Sequence, residues 1–437
     1  MFSALSLSAE RISGSWTGNL QVGFEQLTLV LNIDGDSCTM DSPDQAAMGL
    51  PAKLKVCTVD SLVVENTQLD MVFVGERVGN EIKGMFTQMR HSVPMTFKSG
   101  KPVYNRPQTP QPPFPYKTEE VTFVNPKDNV VLSGTLSYPV DYEKGKTPVV
   151  LMVTGSGQQN RDEEVFYHHP FAVIAHHLAM NGIASLRYDD RGVGESTGDF
   201  KCATTETFAD DAGAGISYLR EGKKFGKVGV LGHSEGGTIA FILAGEGKTD
   251  FIVSLAGTAL RGDKILVGQN RPVLLSQGIP EKMVGDYCLA LEKMYEYKIA
   301  YGSSAGVYAD MLVAMAIGET KVDLPESFRT NLVNLMKTQN VWLNYFIAYD
   351  PIDAIKAIKC PVMAVNGSKD IQVLSIPNLS VVRDNLQWKE GDVVREYEGL
   401  NHLFQHCKTG VVKEYIKIEE TISLEVLTDI TTFIKSM

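Results

Sequence analysis

"VLGHSEGGTIA", residues 230–240, places a serine in the middle of G-x-S-x-G, behind an apolar run and ahead of small helix-forming residues. Two readings follow. Small residues let a strand turn sharply into a helix, which is a matter of packing. The same turn lifts the Ser234 hydroxyl out of a sheet, where it can attack a carbonyl. Alone, the pentapeptide arises by chance in many glycine-rich chains, so its neighbours have to decide.

The texture on both sides is strand–helix alternation. "PVVLMVTG" (148–155) is a continuous apolar run, as expected of a strand buried on both faces. A helix follows at about 170–181, then the strand "ASLRYDD", a helix near 204–221, the strand "KVGVLG", the helix "GGTIAFILAGE" and the strand "FIVSLAG". This order builds an α/β domain: a mostly parallel sheet with right-handed crossovers and helices on both faces. The alternation stops between 258 and 358, where "DYCLALEKMYEYKIAYG" and "SFRTNLVNLMKTQN" carry apolar residues at helical spacing. It resumes with "CPVMAVNGSKD" and "VVREYEGLNH" and closes with the helix "SLEVLTDITTFIKSM". Residues 258–358 therefore read as a helical cap inserted between two strands. Its apolar side chains, including Met311, Met315, Trp342 and Phe346, are expected to bury, some of them around an acyl pocket.

Further out, "SGKPVYNRPQTPQPPFPYKT" (99–118) holds six prolines and no periodicity, so it reads as a semi-rigid linker. Residues 1–98 before it are β-rich. Seven short alternating runs, from "SWTGNLQV" to "SVPMTFK", are separated by turn signals such as Asp34-Gly35-Asp36. That pattern implies a small all-β barrel or sandwich. "GSWTGNL" resembles the opening of lipocalin-like barrels. The expected organisation is a β domain at 1–98, a linker at 99–118, and a catalytic α/β domain at 119–437 that carries the cap.

Composition narrows the function. The chain has 437 residues, 43% hydrophobic and 21% charged, and a formal net charge of −11 with no basic cluster. Nucleic acid and anionic membrane surfaces are poor partners for such a chain. No apolar run reaches the ~20 residues of a membrane span. The six cysteines (38, 57, 202, 288, 360, 407) contain no C-x-x-C. They read as free thiols, with Cys38 and Cys57 able to pair in an oxidising compartment. The start "MFSALSLSAE" reads two ways, as the end of a signal peptide cut after Ala9 or as an ordinary terminus. Export and a cytoplasmic location both stay open. His168-His169 and His176-His177 do not suggest a shared metal site, because adjacent helical residues point apart. No cofactor or metal is called for, and oligomeric state is not readable.

A serine hydroxyl needs a base, an acid to orient it, and donors for the oxyanion. Asp370 follows the apolar run of "AVNGSKD", at the carboxyl edge of the sheet where α/β sites lie. His402 follows the last strand, with His406 its rival four residues on. The oxyanion donors fall to the backbone N–H of Glu235 and of Ser156, Gly157 being the second choice. Asp189, Asp190 and Arg191 read as a structural ion-pair network. The order Ser…Asp…His is that of α/β-hydrolases.

On these residues the stretch from about 119 to 437 resembles the α/β-hydrolase superfamily. It looks most like bacterial carboxylesterases and serine-aminopeptidase-like hydrolases, through "GSGQQNRD" (155–162), "RYDDRGVGES" (187–196) and "GHSEGG" (232–237). The resemblance implies a triad of Ser234, Asp370 and His402 and an oxyanion loop at Gly155–Gly157. It implies a small-molecule ester as substrate, with peptide or thioester cleavage on the same machinery as alternatives. A β-rich domain that captures a ligand or glycan is the reading from outside enzymology.

Overall fold

A computed structural model describes residues 11–22, 25–45 and 47–437. The opening segment that bears on export lies outside the described residues. Contacts divide the chain into two units: Met1–Asn105 with Val412–Glu419, and Arg106–Val411 with Glu420–Met437.

The first unit is a closed antiparallel barrel of eight strands in chain order. They are β1 (Gly14–Val22), β2 (Glu25–Asp34), β3 (Ser37–Ser42), β4 (Ala47–Cys57), β5 (Ser61–Asn66), β6 (Met71–Val78), β7 (Glu81–Gln88) and β8 (His91–Ser99). β8 returns to β1 through Trp16 opposite Ser99, so neither strand is left as an edge. Alternation puts Trp16, Leu31, Leu62, Phe73 and Phe97 inside, where they form a filled core. Trp16 belongs to that core. β3 is the strand without a counterpart among the seven sequence runs. Its short "SCTMDS" has polar residues at both ends and follows Asp34-Gly35-Asp36 directly, so locally it looks like part of the turn.

The second unit is built on one eight-stranded sheet. Its strands are β9 (Lys117–Asn125), β10 (Val130–Tyr138), β11 (Val149–Val153), β12 (Ala184–Tyr188), β13 (Val228–His233), β14 (Ile252–Leu255), β15 (Val362–Gly367) and β16 (Val393–Tyr397). The order is β16-β15-β14-β13-β11-β12-β10-β9. β9 and β10 are antiparallel and β11 to β16 run parallel. This is the α/β-hydrolase sheet. The apolar run 149–153 is wholly buried because it serves two cores. Val149, Leu151 and Val153 face one, while Val150 and Met152 face the other.

Helices α1 (Pro170–Ala179), α2 (Thr205–Arg220) and α3 (Glu235–Gly245) connect the central strands. Six more separate β14 from β15: α4 (Gly262–Ser276), α5 (Glu281–Tyr301), α6 (Ala309–Thr320), α7 (Glu326–Lys337), α8 (Val341–Ala348) and α9 (Ile352–Ala357). α10 (Ser375–Asn385) and α11 (Leu424–Lys435) complete the unit. The inserted helices have a core of their own, including Tyr287, Leu291, Met294, Leu312 and Met336.

One expectation needs correction. Met311 and Met315 are 48% and 40% exposed, on the outer side of α6, because Leu312, Val313 and Ala316 supply its buried face. The boundary between the units falls inside the proline-rich segment, at Asn105/Arg106. Within the second unit Gln108 is tied down by Thr421 and Ile422: its side-chain oxygen accepts from both backbone N–H groups and its amide donates to Ile422 O. Finally, Val412–Glu419 belongs with the barrel unit, which no local pattern in the sequence announces.

Candidate active site

The turn after β13 carries Ser234. Its backbone sits at φ 55°, ψ −118°, a strained conformation for a residue with a side chain. Ser234 N donates to Leu255 O at 2.9 Å, which anchors the turn to β14. Space explains the glycines. A Cβ on Gly232 would lie 1.9 Å from Gly236 O, and one on Gly236 would lie 2.1 Å from Val153 O. The adjacent Gly155 loop also runs close, though less tightly, its own Cβ position lying 3.1 Å from the Ser234 Cβ.

Asp370 and His402 are brought together. His402 Nδ1 lies 2.7 Å from Asp370 Oδ2, and both side chains are buried. A carboxylate only accepts, so Nδ1 carries a proton, and in the neutral ring Nε2 is then the nitrogen with the lone pair. The other Asp370 oxygen accepts from Gln372 N at 2.8 Å and Val373 N at 2.9 Å, which fixes the carboxylate. The two loops touch at Gly367, where a Cβ would meet Leu400 O at 2.2 Å. Asn401 Oδ1 holds the His402 turn by accepting from Leu403 N and Gln405 N. His406 points elsewhere, exposed and bonded to Glu420 at 2.9 Å.

Two carboxylates that the sequence reading overlooked complete the surroundings. Glu163 Oε1 accepts from Gly155 N and from His233 Nδ1, both at 2.8 Å. His233 Nε2 donates to His402 O at 2.9 Å. This buried chain links the Gly155 loop, the residue before Ser234 and the His402 backbone. Burial disfavours a charged His233, but the Glu163 carboxylate outweighs it and the imidazole is raised above its usual range. Gly155 N is already engaged by Glu163. The second carboxylate is that of Glu235, buried behind the turn. "GHSEGG" named both neighbours of Ser234, yet their side-chain partners lie 70 and 107 residues away.

The ion-pair network is real but differently divided. Arg161 pairs with Asp189, and Arg191 pairs with Asp211 and Asp128, each at 2.7 Å. Among the described residues Asp190 has no such partner. It accepts from Thr154 Oγ1 at 2.9 Å and Gln159 N at 3.1 Å, and burial pushes its carboxyl well above the usual range.

Beside the Gly155 loop opens a cavity of about 620 Å³ lined by Ser156, Gly157, Phe200, Lys201 and the run Gln339 to Trp342. Phe346 does not line it. It stacks on Trp342 from behind, ring centroids 5.0 Å apart.

Residues 128–383 match the X-Pro dipeptidyl-peptidase (S15) family. The chain belongs to that family of hydrolases. It is also similar to esterase EstD of Thermotoga maritima, 26% identical over 272 residues, covering 62% of this chain. That match spans 58% of EstD's own length. Among solved structures it resembles the Pyrococcus furiosus esterase Pf2001, at 17% identity and TM-score 0.43 over 77% of this chain and 99% of that one. It also resembles Est1E of Butyrivibrio proteoclasticus with ferulic acid bound, at 15% identity and TM-score 0.41 over 72% and 100%.

Proposed function

We propose that the protein hydrolyses carboxylic esters through an acyl-enzyme on Ser234. One observation carries this reading: a serine held at φ 55° on a strand-to-helix turn, in a fold that also sets a buried imidazole 2.7 Å from a buried carboxylate. Ser234 Oγ attacks the ester carbonyl while His402 Nε2 takes its proton. Asp370 keeps Nδ1 protonated and stabilises the imidazolium that forms. The N–H groups of Ser156 and Glu235 receive the oxyanion. His402 then returns the proton to the leaving alcohol, and water repeats the sequence on the acyl-enzyme.

The family's name favours a second reading, cleavage after an Xaa-Pro dipeptide. An enzyme that reads a free α-ammonium needs an anionic anchor. Among the described residues lining the cavity none is acidic, and Lys201 is basic. The similarity to EstD supports the ester reading as well. A panel of 4-nitrophenyl esters, acyl thioesters and Xaa-Pro amides separates the cases. Ester turnover well above amide turnover is expected, and the reverse order would replace esterase with peptidase.

A further inference from the structure

Glu235 has a side chain that an oxyanion donor does not require. Only its backbone N–H is asked for, yet it carries a carboxylate that is buried at 2% exposure. Burying a charge without a cation is costly, and a smaller neutral side chain would avoid that cost. Burial does push this carboxyl upward, against the Thr205, Trp342 and Ser156 donors that favour its charged form.

The donors come from separate elements. Thr205 Oγ1, at the start of α2, reaches Oε1 at 2.6 Å. Trp342 Nε1, on α8, reaches Oε1 at 2.8 Å and Oε2 at 3.0 Å. Glu235 itself is the first residue of α3. One carboxylate therefore joins the backbone that carries Ser234 to the inserted helix that walls the cavity. Stacking on Phe346 leaves the indole free to slide and rotate in its plane, because dispersion contacts are not directional. A hydrogen bond to Nε1 is directional and removes that freedom.

We propose that the Glu235 carboxylate is a specificity-determining positioning residue: it fixes the Trp342 indole and thereby the depth of the cavity that receives the acyl group. The indole is thus held in a fixed relation to the nucleophile and not only to the cap. When the bond is lost the indole swings, the cavity changes length, and discrimination between short and long acyl chains weakens. This inference rests on Ser234 being the nucleophile.

The test is a double-mutant cycle read as selectivity. kcat/KM is measured for 4-nitrophenyl acetate and octanoate in wild type, Glu235→Met, Trp342→Phe and the double variant. Methionine matches the length of glutamate but offers the indole N–H no oxygen acceptor. Glu235→Met is expected to change the octanoate-to-acetate ratio about tenfold, the lower end of a methylene-scale pocket change. Trp342→Phe should change it comparably, and the double variant should add little, since both remove one link. The emission of Trp342, taken as wild type minus Trp342→Phe, should shift in Glu235→Met when measured against its own Phe double. A merely structural carboxylate would lower kcat/KM for both esters equally and leave the ratio unchanged. A wild-type ratio in folded Glu235→Met, or strictly additive effects, overturns the proposal. If Glu235→Met does not fold, Thr205→Val loosens the same carboxylate from the other side. It should move the ratio in the same direction, and a wild-type ratio there also overturns the proposal. Ser234→Ala separates the two claims. Hydrolysis surviving in that variant refutes the nucleophile, whereas its loss together with an unmoved Glu235→Met ratio refutes the positioning role alone.

Discussion

Replacing His402 by alanine removes a buried imidazole and the partner of Asp370, and with it the proposed base. We expect kcat/KM for a short ester to fall by at least about 10³-fold. His406→Ala should stay within about twofold, because that ring is exposed and bonded to Glu420. Equal losses in the two variants would contradict the assignment. Asp190 gives a prediction in pH. Its carboxyl is raised by burial, so between the usual carboxylate range and its own higher value the folded chain binds a proton that the unfolded chain has released. Stability from this group is complete at low pH and is lost as pH rises through that window. Asp190→Asn removes the titration while its amide can still donate to Thr154 and its oxygen accept from Gln159. The urea midpoint of the variant minus that of wild type should therefore rise with pH, and a flat difference would contradict the account. At this level the sequence was informative about the backbone. Ser234, Asp370 and His402 each lie in the turn or loop that follows a strand, and motif and order singled them out. It was silent about Glu163 and the Glu235 side chain, whose partners are set by folding and not by spacing.

The turn from β13 into α3 depends on close backbone approach. Gly236→Ala would place a methyl against the carbonyls of Val153 and Thr154, at 2.1 and 2.6 Å, and backbone atoms there cannot yield. We expect a loss of about 1–3 kcal/mol in stability, read by urea unfolding, together with reduced ester turnover. Unchanged stability would mean that the turn is looser than its geometry implies. The parallel strands were legible because each is an unbroken apolar run between turn residues. The inserted helices were legible as helices but less so as faces. Met311 and Met315 fit an apolar stripe yet are exposed, since periodicity marks a face without saying which neighbour covers it. β3 was missed because six residues with polar ends carry little alternation.

Ser156, Ser234, Asp370 and His402 all belong to Arg106–Val411, within a unit that has two extensive cores of its own. A chain starting at Arg106 is therefore expected to keep ester hydrolysis, and loss of turnover in a folded fragment of that kind would contradict this separation. The two-unit organisation was visible in the change from short alternating runs to strand–helix alternation. The return of Val412–Glu419 to the barrel unit was not visible, because nothing local marks a segment whose packing partner lies hundreds of residues earlier. The central claim is that Ser234 is the nucleophile. Incubating the full chain with a fluorophosphonate and mapping the adduct by peptide mass spectrometry tests it most directly. The account predicts one adduct per chain, on Ser234, formed in step with loss of ester turnover. A stoichiometric adduct on another residue, or ester turnover that persists after Ser234 is fully modified, would contradict it.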